Sequence, residues 1–246
     1  MKKLFLAAIA TLATTYVSTS ASALTVNLTV PNFSFENDTN GSPDPVSNGN
    51  FLIVAPGGTG MTGWTTSDAH GDTGTLLASD GYESGVLGNR YAFINFDNTV
   101  GGGTGTITSG SLGVTIAPLE TYTLTVAVGN PVAADSARFG SPGTVGLELL
   151  ANNAVAGSTT VLSTQTTNGT FTDFSATFTT AASGGFIGDN LTIELTASEA
   201  NNGTAIQASF DDVQLTETAV PEPAVWTMLL AGFAFMLALN RARLRV

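Results

Sequence analysis

The sequence predicts an all-β domain, an antiparallel sandwich, held between two terminal segments that do not belong to it. Three observations carry that prediction. Several stretches alternate apolar and polar residues with a period of two. Glycine, asparagine and proline punctuate the chain, with 28 glycines in 246 residues. Both ends have the composition of processing or membrane-holding segments.

The elements follow in chain order. Lys2 and Lys3 precede an apolar run from Leu4 to Val17, and Ala21-Ser22-Ala23 supplies a small-x-small cleavage pattern. Residues 1–23 therefore read as a signal peptide, with Leu24 as the new first residue. Residues 24–216 read as one domain. Asn37 to Asn50 is a long polar loop within an insert reaching Met61. Gly101-Gly102-Gly103-Thr104-Gly105 is a flexible turn without the lysine of a phosphate loop.

Thr121 to Gly129 places Tyr122, Leu124, Val126 and Val128 on one face and threonines on the other. Val145, Leu147 and Leu149 repeat the pattern, as do Phe174, Ala176 and Phe178, then Leu191, Ile193, Leu195 and Ala197. Successive strand side chains point to opposite faces, so this period marks half-buried strands. Many short strands with frequent turns point to a sandwich.

Residues 217–223 form a linker that carries Pro221, Glu222 and Pro223. Residues 224–240 are expected to form a transmembrane helix, with Trp226 at the outer interface. At about 1.5 Å per residue that span is slightly short of a bilayer core. The basic tail 241–246, with Arg241, Arg243 and Arg245, would stay on the cytoplasmic side.

Charge excludes some functions. All nineteen acids lie between Glu36 and Glu222, where only Arg90 and Arg138 are basic. Such a domain is repelled by phosphate backbones, so nucleic-acid binding is excluded. There is no cysteine, hence no disulfide framework, and stability has to come from core burial or a bound metal.

Two resemblances add to this reading. Pro221-Glu222-Pro223, the apolar span and the arginine cluster resemble the PEP-CTERM sorting signal of Gram-negative bacteria. That resemblance implies an exosortase as processing partner, passage through the inner membrane with the carboxyl helix held there before processing, a final place at the cell surface or in the matrix, and an association with exopolysaccharide or biofilm. The second rests on Val30-Pro31-Asn32-Phe33-Ser34-Phe35-Glu36, Gly63-Trp64 and Phe210-Asp211-Asp212-Val213-Gln214-Leu215. These are similar to galactose-binding-like and carbohydrate-binding jelly-roll modules, and imply a jelly-roll sandwich.

Candidate sites follow. The jelly-roll resemblance implies a structural Ca²⁺ held by Glu36 with Asp211 or Asp212, since Ca²⁺ takes oxygen ligands. Strand phase singles out the same place. Ile206, Ala208 and Phe210 share a face while Val213 and Leu215 occupy the opposite phase, so the strand bulges or one aspartate points inward. The bland alternative is two solvent-facing acids. Tyr82 and Trp64 are the candidates for stacking on a sugar ring, with Tyr82 the better exposed and Trp64, after Gly63, placed where similar domains bury a core tryptophan. His70, between Asp68 and Asp72, lacks a paired nucleophile and reads as a loop histidine.

The expected function is that of an exported, non-catalytic surface or matrix protein that binds exopolysaccharide. The alternatives are a structural matrix component without a sugar ligand and a secreted glycoside hydrolase.

Overall fold

The computed structural model describes residues 23–37, 42–43, 51–54, 60–67, 71–77, 84–96, 103–130, 143–198, 206–220, 232–234 and 236–237. Two compact units emerge, Thr25–Thr218 and a second comprising Met1–Leu24 with Ala219–Val246. In the second unit, residues 232–234 and 236–237 are helical and exposed. No helix among the described residues is long and apolar enough to cross a membrane, and most of the span expected over 224–240 lies outside the described residues.

The first unit is a sandwich of two antiparallel sheets. Its strands are β1 (Thr25–Leu28), β2 (Ser42–Pro43), β3 (Phe51–Val54), β4 (Trp64–Ser67), β5 (Gly71–Leu77), β6 (Arg90–Phe96), β7 (Thr104–Ser109), β8 (Glu120–Asn130), β9 (Thr144–Ala151), β10 (Ala154–Leu162), β11 (Thr170–Thr179), β12 (Leu191–Ser198) and β13 (Ile206–Ala219). Among the described residues the larger sheet runs β11-β8-β13-β6-β5-β3-β2, with β1 also on β13. The smaller runs β10-β9-β12-β7-β4.

The alternating segments become the strands that face the core. Tyr122, Leu124, Val126 and Val128 on β8 are fully buried, as are Val145, Leu147 and Leu149 on β9 and Leu191, Ile193, Leu195 and Ala197 on β12. The threonine side of β8 pairs with β11 through hydroxyl contacts of 2.9 Å, Thr121 with Thr179 and Thr125 with Ser175. Such cross-strand pairs stabilise a sheet at its solvent face.

The opening box and the closing strand are tied together. Phe33 O accepts the Val213 N–H at 2.9 Å. Asn32 and Phe35 both take positive φ, 46° and 55°, and Asn32 Oδ1 accepts the Asn37 N–H at 2.9 Å. This turn sends Phe35 inward against Trp64, with ring centroids 5.2 Å apart. Trp64 is 1 % exposed and donates Nε1–H to Pro31 O at 2.9 Å. Trp64 is thus part of the main core, packed with Phe35 and Met61, which corrects its expected stacking role in favour of core packing.

Two strands depart from simple alternation. Every residue of β6 after Arg90 is buried, on both faces. On β13 Gln207, Ser209 and Asp211 are buried on the side opposite Ile206, Ala208 and Phe210. The larger sheet therefore carries a second covered surface on the face turned away from the smaller sheet.

Candidate active site

That second surface is built by register. Directly paired antiparallel residues share a face. Phe93 lies opposite Ser209 on one side and Gly74 on the other. Asn95 pairs with Gln207, and Tyr91 pairs with Leu76. Leu76, Tyr91 and Phe93 form an apolar cluster apart from the main core, with Val86 and Phe171 packed against it. Tyr91 and Phe171 meet edge to face at 5.6 Å. The cluster is aromatic at its centre and bordered by Asn95, Gln207 and Ser209.

At the opposite end stands Asp211. The ladder between β13 and β6 runs to Phe210 opposite Ala92, so Asp211 and Tyr91 are the next residue on each strand. There Asp212 adopts φ 44° and the strand changes phase, which returns Val213 and Leu215 to the core. Both readings of the strand apply together: it bulges, and one aspartate is enclosed. Asp211 is 0 % exposed.

Its oxygens accept the Leu87 N–H at 2.5 Å and the Asp212 N–H at 2.7 Å. Burial pushes its carboxyl up to about 7; those N–H bonds pull down, and the charges of Asp212 and Glu36 push further up. An acid poised near neutrality can hold and release a proton under ordinary conditions.

Glu36 braces the same segment. Its Oε1 accepts the N–H groups of Asn89 and Arg90, each at 2.7 Å. Gly88 has φ 89°, and a Cβ there would lie 2.5 Å from Glu36 Oε1, so a side chain at this position breaks the cradle. Residues 87–90 are thereby pinned between two carboxylates, beside Val86 of the aromatic cluster.

Of the expected calcium ligands, Glu36 and Asp211 meet at one segment and Asp212 is engaged elsewhere. Glu36 and Asp211 both face the 87–90 backbone, while Asp212 accepts from Gln214 Nε2 at 2.8 Å. Among the described residues no group of three or more His, Cys, Asp and Glu side chains could hold a metal ion. Beside Glu36 and Asp211, a Ca²⁺ ion would draw the rest of its six to eight oxygens from backbone carbonyls and water. Tyr82, His70, Ala21, Pro221, Glu222, Pro223, Arg241, Arg243 and Arg245 lie outside the described residues.

Known proteins decide between a binding module and an enzyme. A family model described as HpiC1-like, HpiC1 cyclase, matches residues 26–216. The chain belongs to the HpiC1-like cyclase family. Solved structures agree with the fold. A Stig cyclase, Fisc, from Fischerella sp. TAU in complex with (3Z)-3-(1-methyl-2-pyrrolidinylidene)-3H-indole is 20 % identical at TM-score 0.59, covering 80 % of this chain and 100 % of that one. An apo cyclase from Fischerella sp. is 22 % identical at TM-score 0.58, over 82 % of this chain and 100 % of that one. A cyclase from Fischerella sp. TAU in complex with 4-(1H-indol-3-yl)butan-2-one is 21 % identical at TM-score 0.59, over 80 % and 100 %. No curated protein matches the chain.

Membership of the HpiC1-like family corrects several expectations. The non-catalytic role is overturned, and with it the matrix and biofilm function and the exopolysaccharide partner. The PEP-CTERM assignment and its exosortase partner are likewise replaced, since the family that matches is a cyclase family over 26–216. The galactose-binding-like resemblance rested on the opening box and the closing strand. Those residues fold the sandwich ends together and carry no ligand identity.

Sequence reasoning reached Asp211, and Tyr91 as one of the available aromatics, but missed Phe93, Asn95 and Gln207. A signal was available in Arg90–Phe96. Apolar residues there occupy both phases, the mark of a strand covered on two sides.

Proposed function

We propose that this chain is a cyclase that seats an apolar, indole-bearing substrate on the aromatic cluster of the larger sheet, and that Asp211 is its general acid. The observation that carries this is the enclosed Asp211 carboxyl, pushed up to about 7, beside the Tyr91–Phe93 surface in a member of a cyclase family. The substrate class is taken from the indole compounds held in complex by the Fischerella cyclases.

In this mechanism Asp211 gives its proton to a basic atom of the substrate, leaving an electrophilic cation. An internal carbon nucleophile closes the ring by a new carbon–carbon bond. A proton is then lost back to the carboxylate, so substrate and product are isomers. Tyr91, Phe93 and Phe171 exclude water from the cation and hold the chain folded for closure. The Leu87 and Asp212 N–H groups stabilise the carboxylate that forms.

The test is conversion of a 3-alkenyl indole to an isomer of unchanged mass, followed by chromatography. Asp211→Asn is expected to lower kcat by about 10²- to 10⁴-fold, the usual contribution of a positioned acid. Unchanged turnover in a folded Asp211→Asn protein overturns the assignment.

Three neighbouring carboxylates, Glu36, Asp211 and Asp212, also support a competing reading in which a structural Ca²⁺ neutralises Glu36 and Asp211. A bound Ca²⁺ and a proton on Asp211 exclude each other. Added Ca²⁺ that raises Tm while suppressing conversion favours the ion, and an unchanged Tm in a chelated, re-titrated sample removes it.

The jelly-roll topology is part of the proposal, supported by the antiparallel pairing of the first strand with the last. So is export: the composition of residues 1–23 supports a cleaved leader, and a mature mass beginning at Leu24 is the expected result.

A further inference from the structure

We infer that Asn95, set across the ladder from Gln207, is a specificity-determining residue whose carbonyl oxygen accepts a hydrogen bond from an aromatic N–H of the substrate. The inference rests on the aromatic cluster being the substrate site and deepens that reading by naming what orients the ring.

Asn95 is 8 % exposed, and its Oδ1 has no hydrogen-bond partner. Buried carbonyl oxygens are nearly always satisfied, so an orphan calls for a missing donor. The natural donor would be Gln207, which pairs directly with Asn95 and is 2 % exposed. Its Nε2 instead donates along its own strand to Ser209 Oγ at 3.3 Å. The acceptor is thereby left buried and unpaired on the face that Asn95 shares with Phe93 and Tyr91.

Distance fits the assignment. Residues two apart on a strand are separated by roughly 6.6 Å. The N–H and the 3-substituent of an indole leave its five-membered ring in nearly opposite directions, so an N–H directed at Asn95 Oδ1 sends the substituent along the same face toward Asp211. A site that offers an acceptor discriminates against a ligand of the same shape that lacks the donor, because the acceptor is then left unpaired. Asn95 would touch the substrate as a positioning group, with no part in proton transfer.

The experiment uses the full chain and two isosteric probes, 3-methylindole and 3-methylbenzofuran, titrated by calorimetry. The native protein is expected to bind the indole about tenfold more tightly, and Asn95→Leu to bind the two within about twofold. Asn95→Asp keeps an acceptor and is expected to preserve the preference, which guards against a Leu variant that fails to fold. Equal binding of both probes by the native protein overturns the inference, as it means that water satisfies Asn95. A tenfold preference persisting in Asn95→Leu overturns it as well. Phe171→Ala separates the two levels: weakening of both probes supports the aromatic cluster as the site. Unchanged affinity for both overturns the site reading itself.

Discussion

Asp211 concentrates the cost and the use of the site in one side chain. Its folded-state value, up to about 7, lies above the 3.8 of an unperturbed aspartate. The native state therefore binds more protons than the unfolded chain between those values, and stability falls as pH rises through that window. The contribution is fully present below about pH 4 and lost above about pH 7, with an upper bound on the order of 4 kcal/mol. Tm is expected to fall between about pH 4 and about pH 7, and conversion to decline toward the upper end of that range as the acid loses its proton. Asp211→Asn should flatten the part of the Tm profile that this group supplies. The amide also meets two N–H donors with one acceptor oxygen, so this variant is expected to be less stable than the native protein at pH 5. A Tm slope identical to that of the native protein would assign the pH dependence elsewhere.

At the scale of the strand, the smaller sheet carries its own strain. Glu148 on β9 lies directly opposite Glu194 on β12, and Thr108 donates its hydroxyl to Glu194 Oε2 at 2.9 Å. Burial, and then the Glu194 charge, hold the Glu148 carboxyl above its usual range. Like charges directly opposite destabilise a sheet by an amount comparable to the 0.2–1 kcal/mol of a good pair. Glu148→Gln is expected to raise stability by about 0.5 kcal/mol at pH 7 and to give no gain near pH 4, where Glu148 is protonated. Denaturant midpoints at the two pH values check this. These strands were legible in sequence because one face is polar: β8, β9, β11 and β12 alternate and lie where the alternation places them. Strands β6 and the first half of β13 were not, because both faces are covered. There Asn95, Gln207 and Ser209 are polar residues in buried positions, and alternation alone reads a polar residue as exposed.

For the whole molecule, the sequence made the ends conspicuous and the proposed active surface legible only at Asp211. A proline pair, an apolar run and arginines are local signals, whereas the catalytic surface is assembled from residues as far apart as Leu76, Phe171 and Asp211, joined only by sheet register. What composition did announce is a net charge of −12 with nineteen acids. Self-repulsion on that scale destabilises the compact state and is relieved by screening, with a Debye length of about 30 Å at 0.01 M salt and about 8 Å at 0.15 M. Tm is therefore expected to rise as NaCl goes from about 0.01 to about 0.15 M. At matched ionic strength Mg²⁺ and Ca²⁺ should raise it equally if only screening acts. Acids spread along the chain respond to any counterion, while Glu36 and Asp211 together would respond to the larger ion, which tolerates irregular oxygen sets. An increment for Ca²⁺ beyond Mg²⁺ that disappears in Glu36→Gln would place an ion at that pair. Identical curves in both proteins would leave the cradle around residues 87–90 held by its hydrogen bonds alone.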